Sequence, residues 1–182
     1  MKHYKILGLA GPAGAGKDTV GEMVRQFYVE HNQQSQSLSF ASTLKAMLSA
    51  GGFPEPSDRA RKEDKLEGFD FSWRAAAQQL GSEWGRSLDP DIWVKVVQAK
   101  ITTEPEWVHV ITDVRFENEA RMVRSMGGEV WHLQGRKADL GDLAVHVSEI
   151  PVKHSFQDFV LTNDGDLQDL ERSVKALLVG LT

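Results

Sequence analysis

A glycine-rich segment near the start of the chain has the residue types and spacing needed to hold phosphate groups. It reads Gly11-Pro12-Ala13-Gly14-Ala15-Gly16-Lys17-Asp18-Thr19. Its glycines allow successive backbone N–H groups to converge on an anion, and Lys17 can bridge the β- and γ-phosphates of a nucleotide. Asp18 departs from the general pattern, because it stands where a hydroxyl normally binds magnesium; the hydroxyl of Thr19 follows one position later. The segment predicts a nucleotide-binding phosphate loop.

The elements on either side of this segment support that interpretation. Tyr4–Ala10 is apolar and has strand character, and helical spacing follows the segment at Val20, Met23, Val24 and Phe27. The helix would direct the positive end of its dipole at the loop. A strand, a glycine loop and a helix in this order favour a binding loop over a turn without a ligand.

A second candidate site surrounds Asp113 and Arg115, directly after an apolar run. Asp113 is predicted at the carboxyl end of a buried strand, which is the edge where open α/β sheets bind ligands. A carboxylate there can hold a magnesium-bound water. The residues alone leave a second interpretation open, in which Asp113 only caps the helix that begins near Phe116.

A third candidate site lies in a predicted helix that contains Arg74 and Gln78, four positions apart. The two share one face, while the expected buried stripe consists of Trp73, Ala77, Leu80 and Trp84. An arginine beside an amide offers a forked donor for phosphate and a partner for the edge of a nucleobase. A surface pair without a ligand is the open alternative.

The composition limits the class of function. The chain of 182 residues is expected to form one domain over residues 1–182, with a sizeable core. Its net charge of −5 argues against binding to nucleic acid or to an anionic membrane. It has no cysteine, which excludes disulfides and thiolate catalysis. Because we find neither a membrane-spanning apolar run nor a secretory signal, we expect a cytoplasmic protein.

Apolar strand candidates alternate with helical patterns along the chain. The predicted strands are Tyr4–Ala10, Ser37–Phe40, Trp107–Thr112, Val130–Leu133 and Phe159–Thr162, and helices are predicted to begin near Lys17, Thr43, Ser72, Asp91, Phe116 and Asp166. The last helix should bury a stripe made of Leu167, Leu170, Val174, Leu177, Leu178 and Leu181. This alternation predicts a parallel sheet that is covered on both faces.

A charged segment near residues 52–70 interrupts this pattern. Pro54 and Pro56 precede or flank a dense run of acidic and basic side chains. We expect a mobile excursion from the sheet, and both a solvated linker and a flap over an acceptor site remain open.

Several motifs, in this order, resemble those of the bacteriophage-type deoxynucleoside monophosphate kinases. They are Gly16-Lys17-Asp18-Thr19, Phe40-Ala41 with Leu44-Lys45, the segment from Arg74 to Arg86, the segment from Asp113 to Glu119, His146-Val147-Ser148-Glu149 and Asn163-Asp164-Gly165. The resemblance spans nearly the whole chain. It implies an α/β P-loop kinase fold, a three-layer sandwich in which helices cover both faces of a five-stranded parallel sheet. It also implies magnesium-dependent transfer of a phosphoryl group from ATP to a deoxynucleoside 5′-monophosphate, in the host cytoplasm if the protein is phage-encoded.

The resemblance also implies roles for individual residues. Catalytic roles are implied for Lys17, Asp113, Arg115 and Arg136. Lys17 would contact the β- and γ-phosphates of ATP, and Arg115 and Arg136, the last from a lid-like loop near 134–145, would approach the transferring phosphoryl group. Thr19 would contact the α-phosphate of ATP, and Asp18 with Asp113 would organise Mg²⁺ or its waters. The acceptor would be bound by Arg74, Gln78, Arg86, Lys45, His146 and Glu149.

Two other functions remain open at this point. One is a P-loop kinase with a hydroxyl acceptor, such as a dephospho-coenzyme A kinase, in which Asp18 or Asp113 would act as the base. The other is a nucleotide-binding module without catalysis; a switch GTPase is disfavoured because the chain has no Asn-Lys pair. The expected partners are small-molecule nucleotides, and neither homodimer formation nor the choice of deoxynucleotide follows from the sequence.

Overall fold

The computed structural model describes residues 5–58, 60–135 and 152–180. The described residues form two compact units. The first comprises the described residues of Met1–Ser39 and Gln98–Thr182, and the second comprises those of Phe40–Val97. Whether the chain behaves as the single domain expected over residues 1–182 stays a prediction.

The elements follow one another in the predicted alternation. The strands are β1 (Ile6–Ala10), β2 (Ser35–Leu38), β3 (Val108–Val114), β4 (Glu129–Gly135) and β5 (Phe159–Asn163). The α-helices are α1 (Lys17–Glu30), α2 (Ser42–Ala50), α3 (Trp73–Gln78), α4 (Arg86–Leu88), α5 (Ile92–Thr103), α6 (Glu117–Ser125) and α7 (Leu167–Val179). A 3₁₀ turn spans Ala60–Lys62 and a π-helix spans Gln79–Gly85. Within the described ranges, no helix is long and apolar enough to cross a membrane.

The five strands form one parallel sheet in the order β2-β3-β1-β4-β5. This confirms the expected parallel sheet. The strand β1 lies at its centre and is buried along its whole length. Ala10 at the end of β1 pairs with Val114 at the end of β3. The segments that follow these two strands therefore leave the sheet at the same edge.

Helices cover both faces of the sheet in the first unit. Side chains alternate between the two faces along a strand, so neighbouring residues of β1 contact different helices. Leu7 and Leu9 belong to the core that includes α1 and α7. Gly8 faces the other way, since a Cβ at this position would lie 3.2 Å from Val123 Cγ2 on α6. The expected three-layer sandwich is thus confirmed, and a glycine in β1 lets α6 approach closely.

The helix α7 is capped and amphipathic, as its sequence predicts. The Asp166 carboxylate accepts a hydrogen bond from the Asp169 N–H at 2.8 Å, and the helix buries Leu170, Val174, Leu177 and Leu178. Leu167 does not belong to this stripe, because it lies in the exposed first turn and is 60% exposed. Leu181 lies outside the described residues.

The strand β2 begins and ends two residues earlier than its apolar pattern predicts. It spans Ser35–Leu38 because its pairing with β3 runs from Ser35 opposite Val108 to Leu38 opposite Ile111. Ser35 is buried, and its hydroxyl donates to the Arg25 carbonyl at 3.2 Å. A buried serine with a hydrogen-bond partner therefore begins the strand, two positions before the predicted start at Ser37.

The helical region from Trp73 to Leu88 in the second unit is irregular at its centre. Gln79–Gly85 is π-helical, and the additional residue in the turn rotates the side chains that follow. Trp84 is consequently 46% exposed, so its assignment to a buried stripe is wrong. Gly81 and Gly85 are buried instead: the Trp93 indole N–H donates to the Gly81 carbonyl at 2.8 Å, and a Cβ at Gly85 would overlap the Trp93 ring.

A buried histidine connects β3 to the segment that precedes it. His109 is 1% exposed. Its Nε2 lies 2.9 Å from the Glu104 carbonyl and its Nδ1 lies 3.1 Å from the Gln36 amide nitrogen. A neutral ring satisfies both contacts, because one nitrogen donates and the other accepts. Burial lowers the pKa of His109, against smaller upward effects from Glu104.

We expect the free energy of unfolding to fall as the pH is lowered from about 7 to about 5, through the ordinary histidine pKa of about 6.5. In this range the unfolded chain binds a proton that folded His109 does not, so each such histidine contributes a slope of at most about 1.4 kcal/mol per pH unit. Burial also lowers the pKa of His132. Denaturant titrations at several pH values would give the free energy of unfolding at each pH. This free energy should depend less steeply on pH in His109→Gln than in the wild-type chain, and an unchanged pH dependence would contradict this account.

Candidate active site

The candidate phosphate loop links the end of β1 to the start of α1. Gly11, Gly14 and Gly16 have φ angles of 141°, 80° and 96°, which only glycine adopts without strain. Gly16 directly precedes Lys17, the first residue of α1. The loop thus has the backbone conformation of an anion-binding turn at a helix N-terminus.

The Lys17 side chain folds back over the loop. Its ammonium group donates hydrogen bonds to the carbonyls of Gly11 and Pro12, both at 2.8 Å. These bonds hold a positive charge beside the glycines, where phosphate oxygens could replace the carbonyl groups as acceptors. Asp18 and Thr19 are exposed in the first turn of the same helix. Ala13 and Ala15 complete the loop, and Ala15 is buried.

Asp113 lies one residue before the end of β3, on the strand beside β1. Its carboxylate accepts a hydrogen bond from the Ser39 hydroxyl at 2.6 Å. Ser39 follows β2, so this bond joins the ends of two neighbouring strands. No local sequence pattern points to Ser39, because the two residues are 74 positions apart and the pairing of β2 with β3 brings them together.

A buried glutamate organises the turn that contains Arg115. The Glu119 carboxylate accepts hydrogen bonds from the backbone N–H groups of Arg115 at 2.8 Å and Phe116 at 3.0 Å. Glu119 is 2% exposed. It satisfies donors at the start of α6, where Phe116 is the N-cap residue. A glutamate near the third position of a helix is the sequence signal for such a contact.

The carboxylates at this edge fit a magnesium ion that is bound together with a nucleotide. Among the described residues, no group of three or more His, Cys, Asp or Glu side chains could hold a metal ion. Mg²⁺ in kinase sites keeps several waters and needs only one or two carboxylates besides phosphate oxygens. Asp18 and Asp113 supply oxygen donors of this kind.

The second unit contains four of the predicted acceptor-binding residues. Arg74 and Gln78 lie in α3 and are partly buried, and the Arg74 guanidinium forms an ion pair with Glu63. Arg86 donates to the Pro90 carbonyl at 3.1 Å. Lys45 lies 3.2 Å from the Glu55 carboxylate.

Glu55 is shared by two lysines of the second unit. Its other carboxylate oxygen lies 2.5 Å from the Lys62 ammonium group. Burial raises the pKa of Glu55, but its hydrogen bonds and charge attraction to Lys62 and Lys45 outweigh this effect, and the pKa lies below its ordinary value. Glu55 is therefore a charged partner that partly neutralises Lys45 at neutral pH.

Three predicted site residues lie outside the described residues. They are Arg136, His146 and Glu149. Their assignments, and that of the lid-like loop near 134–145, stay predictions.

The family model for deoxynucleotide monophosphate kinase matches residues 60–174 of this chain. The chain belongs to the deoxynucleotide monophosphate kinase family. The matched residues include Arg74, Asp113 and Arg115 but not the phosphate loop, so the geometry of the loop is an independent observation.

Two phage proteins of this family are similar to the chain. The deoxynucleoside-5′-monophosphate kinase of Escherichia phage T5 is 36% identical over 96 residues, which cover 52% of this chain and 34% of the phage protein. The deoxynucleotide monophosphate kinase of Escherichia phage RB69 is 22% identical over 174 residues, which cover 92% of this chain and 70% of the phage protein. The first match thus spans only about a third of that relative's length.

Solved kinase structures share the fold. An APS kinase from Mycobacterium tuberculosis, in complex with AMPPNP and APS, has a TM-score of 0.51 at 15% identity and covers 98% of this chain and 99% of that chain. A gluconokinase from Sinorhizobium meliloti 1021 has a TM-score of 0.54 at 13% identity and covers 99% of this chain and 95% of that chain. These likenesses support the P-loop kinase fold that the motifs imply.

Proposed function

We propose that this chain is a kinase that transfers the γ-phosphoryl group of ATP to a deoxynucleoside 5′-monophosphate and releases ADP and the deoxynucleoside diphosphate. The observation that supports this most strongly is the phosphate loop, with Lys17 held over it, at the same sheet edge as Asp113. Family membership supports a monophosphate as the acceptor. We further propose that the enzyme acts in the cytoplasm.

The donor side of the reaction depends on charge neutralisation by the first unit. ATP with Mg²⁺ supplies the transferable phosphoryl group and a cation that shields its charge. We assign Lys17 to the β- and γ-phosphates, and the loop N–H groups with Thr19 to the remaining phosphate oxygens. Asp18 and Asp113 would hold the metal or its waters, and the hydrogen bond from Ser39 keeps the Asp113 carboxylate in one orientation.

The acceptor side needs alignment more than base catalysis. A monophosphate already presents an anionic oxygen to the γ-phosphorus, so no strong general base is required. We assign Arg74, Gln78, Arg86 and Lys45 to acceptor binding. Arg74 forms an ion pair with a carboxylate, that of Glu63, in the structure, and a guanidinium can also pair with a phosphate group.

Replacing Arg74 by alanine is expected to raise KM for the monophosphate by roughly ten- to a hundredfold, because a charge-assisted contact with bound acceptor is lost. The value of kcat should change less. Arg61→Ala is the matched control, since Arg61 forms only an exposed ion pair with Asp64 at 4.0 Å in the same unit. Steady-state kinetics with the monophosphate varied at saturating ATP would measure both constants, and equal effects of the two variants would contradict the assignment.

Asp113→Asn is expected to lower kcat and to raise the Mg²⁺ concentration needed for half-maximal velocity by about ten- to a hundredfold. The amide keeps the size of the side chain but loses the charge that holds the metal. Asp70→Asn is the control, because Asp70 is fully exposed and pairs with Lys65 at 2.9 Å. Magnesium titrations at constant ATP would test this, and an unchanged magnesium requirement would remove Asp113 from the metal site.

The acceptor class is tested directly with a panel of nucleotides. ATP is offered with each common deoxynucleoside and ribonucleoside monophosphate, and with dephospho-coenzyme A as a hydroxyl acceptor, while ADP formation is followed. We expect turnover with at least one deoxynucleoside monophosphate. Turnover with only the hydroxyl acceptor would replace the proposed function by the alternative kinase.

A further inference from the structure

A buried amide at the end of β5 contacts the phosphate loop. Asn163 is the last residue of β5 and is 5% exposed. Its side-chain N–H₂ group donates a hydrogen bond to the Ala15 carbonyl at 2.9 Å, across 148 positions of the sequence. Both residues belong to the first unit. A strand on the far side of β4 therefore reaches back to the loop that follows β1.

The ends of β4 and β5 leave no room for side chains on this side of the loop. A Cβ at Gly16 would lie 2.7 Å from the Asn163 side-chain nitrogen, and a Cβ at Gly11 would lie 2.7 Å from the Leu133 carbonyl oxygen. Both glycines have a positive φ angle. The loop is thus placed by close contacts with two strand ends as well as by its own glycines.

The hydrogen bond to Ala15 also determines where a neighbouring donor points. The Ala15 carbonyl and the Gly16 N–H belong to the same peptide plane, and in a trans peptide they point in opposite directions. When Asn163 holds the carbonyl toward β5, the Gly16 N–H is directed away from β5. A carbonyl that turned the other way would present its oxygen to the phosphates and repel them.

We propose that Asn163 is a positioning residue for nucleotide binding, which orients the peptide between Ala15 and Gly16 so that its N–H group faces the phosphates of ATP. This inference rests on the proposed function, because it assigns the loop to ATP. In this role Asn163 acts through the Ala15–Gly16 peptide and not through the nucleotide itself. Its loss should therefore weaken binding of the donor and leave binding of the acceptor nearly unchanged.

Two substitutions test this role by disrupting the contact in different ways. Asn163→Ala removes the donor and leaves the buried carbonyl without its partner. Asn163→Asp keeps the shape but directs a carboxylate oxygen at that carbonyl. We expect KM for ATP to rise roughly five- to a hundredfold in the alanine variant and further in the aspartate variant. Thr162→Ala is the control, because Thr162 is the exposed neighbour on the same strand.

Two measurements separate positioning from a general effect on the fold. The first is steady-state kinetics with ATP and the acceptor varied in turn, and the second is calorimetric binding of a non-hydrolysable ATP analogue. A purely structural role would lower the active fraction, and thus kcat, without changing KM for ATP relative to KM for the acceptor. If Asn163→Ala does not fold, binding of the analogue is measured with Asn163→Asp, which keeps the size of the side chain but loses the donor.

The outcomes for this inference and for the proposed function are distinguishable. A selective rise in KM for ATP, matched by weaker binding of the analogue, supports Asn163 as a positioning residue. Unchanged analogue binding in the folded variants would overturn it, whatever the acceptor is. A wild-type chain that binds the analogue but phosphorylates no monophosphate would contradict the proposed function alone, since the effect of Asn163 on analogue binding is measured without turnover.

Discussion

Replacing Lys17 by alanine is expected to lower kcat by at least about a hundredfold and to leave the fold intact. Lys17 places its ammonium group beside the loop glycines, where its hydrogen bonds go to the carbonyls of Gly11 and Pro12. Charge that develops on the transferring phosphoryl group would lose a cation that the loop holds in place. The core does not depend on this side chain, so the melting temperature should change little.

Lys175→Ala is the matched control for this experiment. Lys175 lies on α7 and forms an exposed pair with Glu171 at 2.7 Å. Turnover and thermal melting are measured on the same preparations of both variants. Near-native turnover of the Lys17→Ala enzyme would contradict the assignment of the phosphate loop.

Replacing Arg115 by alanine is expected to lower kcat roughly thirty- to a thousandfold, with smaller effects on either KM. Arg115 follows β3 at the same edge as the phosphate loop, and we assign it to charge that develops as the phosphoryl group leaves ATP. The backbone N–H group of Arg115 donates to Glu119 at 2.8 Å. The substitution keeps this N–H group, so the start of α6 should remain intact.

A purely structural role of the Arg115 side chain is the competing outcome. If its side chain only stabilises the turn beside Glu119, Arg115→Ala will lower the melting temperature while the folded enzyme keeps its kcat. Arg121→Ala on the exposed face of α6 is the control for a lost surface charge. A stable and fully active Arg115→Ala enzyme would remove this residue from the catalytic group.

Local patterns in the sequence are sufficient to predict much of the sheet and the loop. Buried strands in a parallel sheet are continuous apolar runs, so β1, β3 and β4 are recognisable from composition. The capped helix α7 follows from Asp166 and the spacing of its leucines. The loop follows from the spacing of its glycines and Lys17, because glycine adopts the positive φ angles of this turn without strain.

Features that depend on distant residues could not be predicted from local patterns. The limits of β2 follow from its register with β3, in which a buried serine at position 35 pairs with Val108. The exposure of Trp84 follows from the π-helix and from Trp93 packed on Gly81 and Gly85. The contact between Ser39 and Asp113 likewise requires the three-dimensional order of the strands.

The most direct test of the account is to follow the γ-phosphoryl group itself. Phosphorus NMR of the purified chain with ATP, Mg²⁺ and a deoxynucleoside monophosphate distinguishes ADP and the deoxynucleoside diphosphate from simple ATP hydrolysis. We predict that the γ-phosphoryl signal of ATP is replaced by the β-phosphoryl signal of the deoxynucleoside diphosphate, and that the Lys17→Ala chain does not produce it. Hydrolysis to inorganic phosphate without a diphosphate product, for every deoxynucleoside monophosphate offered, would contradict the proposed function.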